Sequence, residues 1–182
     1  MPSDTPTMPT LADIEAARAA IAEAIRETPV EPSRGLSEKL GRPVWLKLEH
    51  HQVTGSFKVR GATYAVSRLT DPQREKGVVG VSTGNHGRGL AHAAKSAGVR
   101  CTICMSRLVP RNKVEAIEAL GAEVRIVGRS QDEAEEEVAR LVVEEGMTLL
   151  PPFDHPDILS GQGTVGLEIL EQVPDVGTVV VP

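Results

Sequence analysis

The sequence is most telling first in what it has little of. It holds two cysteines in 182 residues, too few for a disulfide scaffold. It has no block of lysine and arginine; twenty basic against twenty-five acidic residues leave a formal net charge of −5, which argues against a partner with a phosphate backbone and so against nucleic acid. No charged leader precedes an apolar stretch, and no run approaches the ~20 apolar residues that span a bilayer. These absences lead to the expectation of a cytoplasmic chain with no membrane partner. With 40% hydrophobic residues it is a globular sequence able to bury about 70% of its unfolded surface.

The two cysteines, Cys101 and Cys104, have the C-x-x-C spacing of redox and zinc sites. They fall inside "VRCTICMS", an apolar run that reads as a buried strand, where an offset of three turns the side chains to opposite faces. They are expected to be core residues.

Thr10 and Asp13 form a capping-box pattern ahead of the helically spaced Leu11, Ile14, Ala17, Ile21 and Ile25. Breakers follow at Pro29, Pro32, Gly35, Gly41 and Pro43, and "VWLKLE" alternates like a half-buried strand. From residue 78 a regular alternation governs the fold. "VVGVS" leads to a helix over 86–97, "VRCTICM" to one over 112–120, and "EVRIVG" to a third that opens on the capping pair Ser130 and Glu133 and buries Ala134, Val138, Leu141 and Val142. "MTLLP" is a further strand. Beyond a Pro-rich connection, "SGQGT" reads as a Gly-rich turn before another helix, and "VGTVVVP" as a last strand. Strands alternating with amphipathic helices mean an α/β fold with a parallel sheet covered on both faces. In such sheets ligand loops lie just past the carboxyl ends of the strands.

Two segments are suited to chemistry. "STGNHGRG", residues 82–89, follows a strand and opens a helix, so its small residues let a ligand reach free N–H groups and the positive end of the helix dipole. That suits an acidic ligand; a tight helix start is the plainer reading. The G-x-x-G-x-G order, with no acidic residue after the next strand, is not a dinucleotide fingerprint. In "VTGSFKVRGA", residues 53–62, Ser56 is a plausible N-cap, which sets Lys58 in the first turn, where its charge opposes the macrodipole. A Schiff-base lysine gains from such a place, because helix potential and partial burial both favour the neutral amine. Alone, Lys58 also reads as an ordinary exposed lysine.

"KLEHHQVTGSFKVRGA", followed about twenty-five residues later by "STGNHGRGLA" and then by "GAEV" and "SGQGT", resembles the fold-type II pyridoxal-phosphate enzymes, and within them the threonine/serine dehydratase group that also contains serine racemase. "KLEHHQ", "CMSRLVP" and "VGRSQDEAEEE" most resemble its hydroxyectoine-utilization dehydratases. The resemblance runs from about Thr28 onward. It implies pyridoxal 5'-phosphate as cofactor, with Lys58 as the Schiff-base lysine, Asn85 on the ring oxygen and Phe57 packed against the ring. Ser82, Thr83, Gly84, Asn85 and His86 are implied to hold the substrate carboxylate, with Gln162 and Gly163 near the cofactor's other side. The implied reaction is α,β-elimination of water from a β-hydroxy amino acid, with release of ammonia to leave a 2-oxo acid. Thr83 stands where the racemase relatives carry a serine that acts from the opposite face, so racemisation is the alternative activity.

The resemblance further implies a tryptophan synthase β-like architecture. Residues 1–55 and 151–182 would form an incomplete large cofactor domain, and 56–150 the small domain that binds the substrate carboxylate. Family members continue with a Gly-rich phosphate loop after the strand at 177–181, so an N-terminal fragment is expected, with the second half of the large domain missing and a homodimer for the full-length parent. A fragment that only binds a small carboxylate is the non-catalytic alternative. No metal site is expected: His50 and His51 point apart on an extended segment, and His92, six after His86, lies off its helix face.

Overall fold

The computed structural model describes residues 8–82 and 84–181, so the expectations for Thr83 fall outside the described residues. Helix α1 (Leu11–Ile21) starts at the capping box foreseen, the Thr10 hydroxyl accepting the Asp13 N–H and the Asp13 carboxylate accepting the Thr10 N–H at 2.8 Å. It buries Ala17 and Ile21 against Tyr64; Ile25 lies past the helix end and packs on the same cluster.

β1 (Val30–Pro32) pairs antiparallel with β2 (Trp45–Lys47), with α2 (Arg34–Leu40) between them. The half-buried strand expected here is a small ribbon in which consecutive residues Trp45 and Leu46 are both exposed, so alternation in the sequence does not become a buried face. Glu49–His51 is a 3-10 turn, not the extended segment expected, and it brings the rings of His50 and His51 to 4.3 Å, edge to face. Even so, the described residues contain no group of three metal-ligating side chains.

The remaining elements are α3 (Lys58–Ser67), α4 (Asp71–Lys76), β3 (Val78–Val81), α5 (Asn85–Ser96), β4 (Cys101–Met105), α6 (Arg111–Glu118), β5 (Glu123–Ile126), α7 (Gln131–Glu145), β6 (Thr148–Leu149) and α8 (Pro156–Gln172). Four strands form an all-parallel sheet in the order β5-β4-β3-β6. Its two faces follow from strand alternation. Val78, Cys101, Ile103 and Met105 pack with Leu90 of α5 and Ile117 of α6, while Val79 and Cys104 pack with Ala134, Val138 and Leu141 of α7. The cysteines therefore sit on opposite faces, both free and buried, and burial pushes their thiols up to about 12 and about 11.

Two expectations fail near the end of the chain. "SGQGT" makes no turn; α8 runs straight through it. Its glycines are contact points: a β-carbon on Gly161 would come within 2.7 Å of the Arg60 carbonyl oxygen, and one on Gly61 within 2.7 Å of the Ile158 carbonyl oxygen. Residues 177–181 form no strand, and Val179, Val180 and Val181 are exposed. A strand needs a neighbour to take its N–H and C=O groups, and the described residues supply none there. Helix α3 packs on α5 on one side and on α8 and α1 on the other.

Candidate active site

The start of α3 differs from the capped helix expected. The N-cap is Phe57, in αR conformation with no side-chain cap, and the Ser56 hydroxyl stands 3.4 Å from the Lys58 N–H. Lys58 is thus the first helical residue, where the macrodipole opposes its charge. Its Nζ donates to the Pro152 carbonyl at 2.7 Å and lies 5.2 Å from the centroid of the Phe57 ring. Partial burial lowers its pKa below the usual 10.5, and no carboxylate offsets that.

The turn between β3 and α5 brings the second motif alongside. Ser82 serves as a displaced cap: its hydroxyl accepts the N–H of Gly84 at 3.2 Å and of Gly87 at 2.8 Å. Gly87 is required for this, since a β-carbon there would stand 3.2 Å from the Ser82 hydroxyl and 2.9 Å from Ile117. The N–H groups of Asn85 and His86, at the first two helical positions of α5, meet no acceptor among the described residues. They are the orphan donors that an anion would take up. Asn85 is exposed; His86 is buried beneath it.

His86 Nε2 lies 2.9 Å from the Leu150 carbonyl, a contact that fixes the proton on that nitrogen, and buried Nδ1 has no partner. Burial holds the imidazole down to about 4; the carbonyl works the other way, and the Lys58 charge adds to the depression. The ring is therefore neutral at physiological pH. Lys58 and His86 converge on 150–152, just past the carboxyl end of β6, as the open-sheet rule requires. Together with Ser82, Gly84 and Asn85 they line a cleft of about 590 Å³ that Arg88, Asn112, Lys113 and Ala116 complete.

Not every residue singled out in the sequence joins this cleft. Gln162 lies on α8 against Gly61, with buried Nε2 unpartnered. Gly163 faces the other way, where a β-carbon would meet Ile14 of α1 at 2.9 Å.

One residue that the sequence reading passed over dominates the rear of the site. Arg60 is fully buried and donates to Glu49 at 2.8 and 2.9 Å and to Glu168 at 2.5 and 2.9 Å. Lys47 reaches the same Glu168 at 2.5 Å, and Thr164 accepts from Arg60 at 3.2 Å. The available signal was spacing: Arg60 falls between Val59 and Ala62 on a helix whose other inward residues are apolar or small, and an arginine there needs acids from elsewhere.

A family model described as pyridoxal-phosphate dependent enzyme matches residues 21–182. The chain is 59% identical over 172 residues to a Sinorhizobium fredii protein bearing a threonine dehydratase name, covering 94% of this chain and 52% of that protein. It is 44% identical over 173 residues to L-threonine dehydratase catabolic TdcB of Staphylococcus aureus, covering 94% and 50%. Maize serine racemase superposes with a TM-score of 0.88 at 37% identity, over 92% of this chain and 51% of that one. The chain spans about half the length of the curated relatives it matches. The lysine and the anion-ready turn, far apart in sequence and joined in one cleft, thus lie wholly within a match over residues 21–182: the chain belongs to the fold-type II pyridoxal-phosphate dependent enzymes.

Proposed function

We propose that this chain supplies the nucleophile and the carboxylate-binding turn of a pyridoxal-phosphate-dependent ammonia-lyase. Its substrate is a β-hydroxy amino acid of the threonine or serine kind, which first loses water and then takes water back as ammonia is released, leaving a 2-oxo acid; a hydroxyectoine-derived amino acid is the narrower candidate. The observation that carries the reading is the Lys58 amine, partly buried without a carboxylate partner and facing the same cleft as Asn85 and His86.

The residues present fit the cofactor. An amine that is to hold pyridoxal phosphate must spend part of its time neutral, and the burial of Lys58 acts in that direction. Lys58, Phe57 and Asn85 are the residues that would hold it. When bound, the cofactor supplies an electron sink for negative charge at the substrate Cα. The chain's own contributions are orientation and proton transfer. The N–H groups of Asn85 and His86 orient the substrate carboxylate. Ser82, by taking the N–H groups of Gly84 and Gly87, keeps that turn in place. Lys58 Nζ accepts the proton from Cα, and neutral His86 beside it adds no second positive charge to be overcome.

Adding pyridoxal phosphate tests this directly. The expected result is a visible absorbance band that borohydride reduction converts into a label on Lys58, located by peptide mapping and lost in Lys58→Ala. A folded chain with no band and no label overturns the reading. Release of 2-oxo acid from threonine, serine and 3-hydroxyaspartate then ranks the substrates. The likeness to maize serine racemase favours racemisation as the second reading, and formation of the D-amino acid in place of a 2-oxo acid selects it. The same reading assigns 56–150 to a small carboxylate-binding domain and the flanking segments to a large one. It takes the full-length enzyme to be a cytoplasmic homodimer, which sedimentation of that enzyme checks. No helix among the described residues is long and apolar enough to cross a membrane.

A further inference from the structure

The cleft in front of Lys58 is cationic in a chain whose formal net charge is −5. Its lining includes Lys58, Arg88 and Lys113 and no aspartate or glutamate. Lys58 has a place in the reaction proposed above; Arg88 has none.

Arg88 is the fourth residue of α5 and half-buried. Its Nε is buried without a partner, and Nη1 and Nη2 each lie 3.8 Å from where a β-carbon on Gly55 would stand. Other arginines drawn into the structure are matched: Arg60 with Glu49 and Glu168, Arg125 with Glu123 and Glu137, and Arg18 with Glu171. Arg74 donates to the carbonyls of Val66, Ser67 and Leu69. Among the described residues the Arg88 guanidinium meets no acceptor. A partly desolvated guanidinium in the first turns of a helix is doubly disfavoured, by the dipole and by its unused donors. An oxyanion removes both penalties, and the planar fork suits a carboxylate in two-point contact.

The placement limits which oxyanion. Long helical side chains run back toward the N-terminus of their helix, so Arg88 extends toward the turn at Gly84 and Asn85 and toward Gly55, three residues before Lys58. Gly89 locks this arrangement: a β-carbon there would stand 3.0 Å from the Val59 nitrogen and 3.1 Å from the Lys58 carbonyl carbon. Two anion-binding groups, the N–H groups of Asn85 and His86 and the guanidinium of Arg88, therefore line one cleft, which suits a substrate that carries two carboxylates.

We propose that Arg88, assisted by Lys113, binds a second carboxylate, and that the preferred substrates are dicarboxylic β-hydroxy amino acids such as 3-hydroxyaspartate. The catalytic meaning of this subsite rests on the dehydratase reading; its binding preference does not.

Titration calorimetry on the 182-residue chain without added cofactor, with 3-hydroxyaspartate and threonine as probes, tests it. The unaltered chain is expected to bind 3-hydroxyaspartate at least tenfold more tightly than threonine. Arg88→Gln, with its fold checked by circular dichroism, is expected to lose most of that preference while threonine affinity stays within twofold; Arg88→Lys keeps part of it. Lys113→Gln, on an exposed helix position, is expected to reduce the preference about threefold and serves if Arg88→Gln does not fold. The proposal is overturned if the unaltered chain binds neither probe or shows no preference, or if the preference survives both substitutions. Equal weakening of both probes by Arg88→Gln also overturns it, since Arg88 would then serve the α-carboxylate. So does loss of pyridoxal-phosphate labelling at Lys58 with the dicarboxylate preference intact, since Arg88 would then serve the cofactor phosphate. Failure of the dehydratase reading shows itself separately, as no labelling of Lys58 in the unaltered chain.

Discussion

Lys58 and Arg60 stand two residues apart on α3, turned about 200° from one another, and the two sides of the helix treat positive charge in opposite ways. Behind the helix, Arg60 is fully buried yet enclosed by Glu49, Glu168 and Thr164, with Lys47 closing the cluster. Burial works against its charge, but the hydrogen bonds to both glutamates more than offset that and raise its pKa. In front, Lys58 has only a carbonyl, and burial lowers its pKa unopposed. A charge saturated with partners has no capacity left for a ligand and serves the fold; a charge left short of partners weakens the fold slightly and is available to chemistry.

The largest way to break this contrast is to empty the rear. Arg60→Leu leaves Glu49 without its cation and Glu168 with Lys47 alone, and breaking a buried pair in that way costs about 3–5 kcal/mol. Urea unfolding is expected to show a loss of that size; a loss below about 1 kcal/mol would mean the cluster contributes little beyond packing.

Acid loads the front instead. His86 is held from 6.5 down to about 4, chiefly by burial, so between those values the unfolded state binds the proton more readily than the folded one. Stability is therefore full above about 6.5, falls as the pH drops through this window, and by pH 4 the linked loss approaches about 3 kcal/mol. His86→Gln, whose amide can still donate to Leu150, is expected to flatten this part of the stability profile; a profile unchanged from the parent shows that other groups carry it. Labelling of Lys58 is expected to fall over the same window for a separate reason: as the pH drops, less of the amine is neutral.

Much of this arrangement was legible in the sequence, and the rest was hidden for definable reasons. The capping boxes at Thr10 and Ser130 are local, closed within four residues, and the alternating strands and helices of 78–149 declare themselves by period. That Lys58, Asn85 and His86 would share one cleft was legible through two linked motifs. What escaped was non-local. "SGQGT" looked like a turn because glycine breaks isolated helices, but Gly61 and Gly161 are contact points between α3 and α8, visible only with both helices in place. Arg60 and Glu168 are 108 residues apart in sequence, so nothing local shows that each buries the other. The strand expected at 177–181 had a fitting composition and no neighbour among the described residues.

The helix contact gives a smaller break. Gly161→Ala would bring a methyl group within 2.7 Å of the Arg60 carbonyl oxygen and of the Gly61 α-carbon, and both are backbone atoms that cannot swing aside. Overpacking of this kind costs about 1–3 kcal/mol. Because α3 carries both cations, the shift is expected to reduce Lys58 labelling as well as the urea midpoint. Gly166→Ala, on the same helix with nothing within 4 Å, is the matched control and should be neutral or slightly stabilising.

The smallest effect on stability is expected at the residue to which the proposed function assigns the largest effect on activity. Lys58→Ala removes one 2.7 Å hydrogen bond to Pro152 and a contact with the Phe57 ring, which argues for a loss. It also removes a partly desolvated charge from a helix N-terminus, which argues for a gain. Alanine is moreover the better helix former. These terms are individually below about 1 kcal/mol and opposed, so the net change in unfolding free energy is expected to lie within about 0.5 kcal/mol, while cofactor labelling disappears. A loss of several kcal/mol on Lys58→Ala would reverse the contrast: the front of α3 would then be as structural as its rear, and the N–H donors of Asn85 and His86, unpaired among the described residues, would have to account for the cleft without a nucleophile beside them.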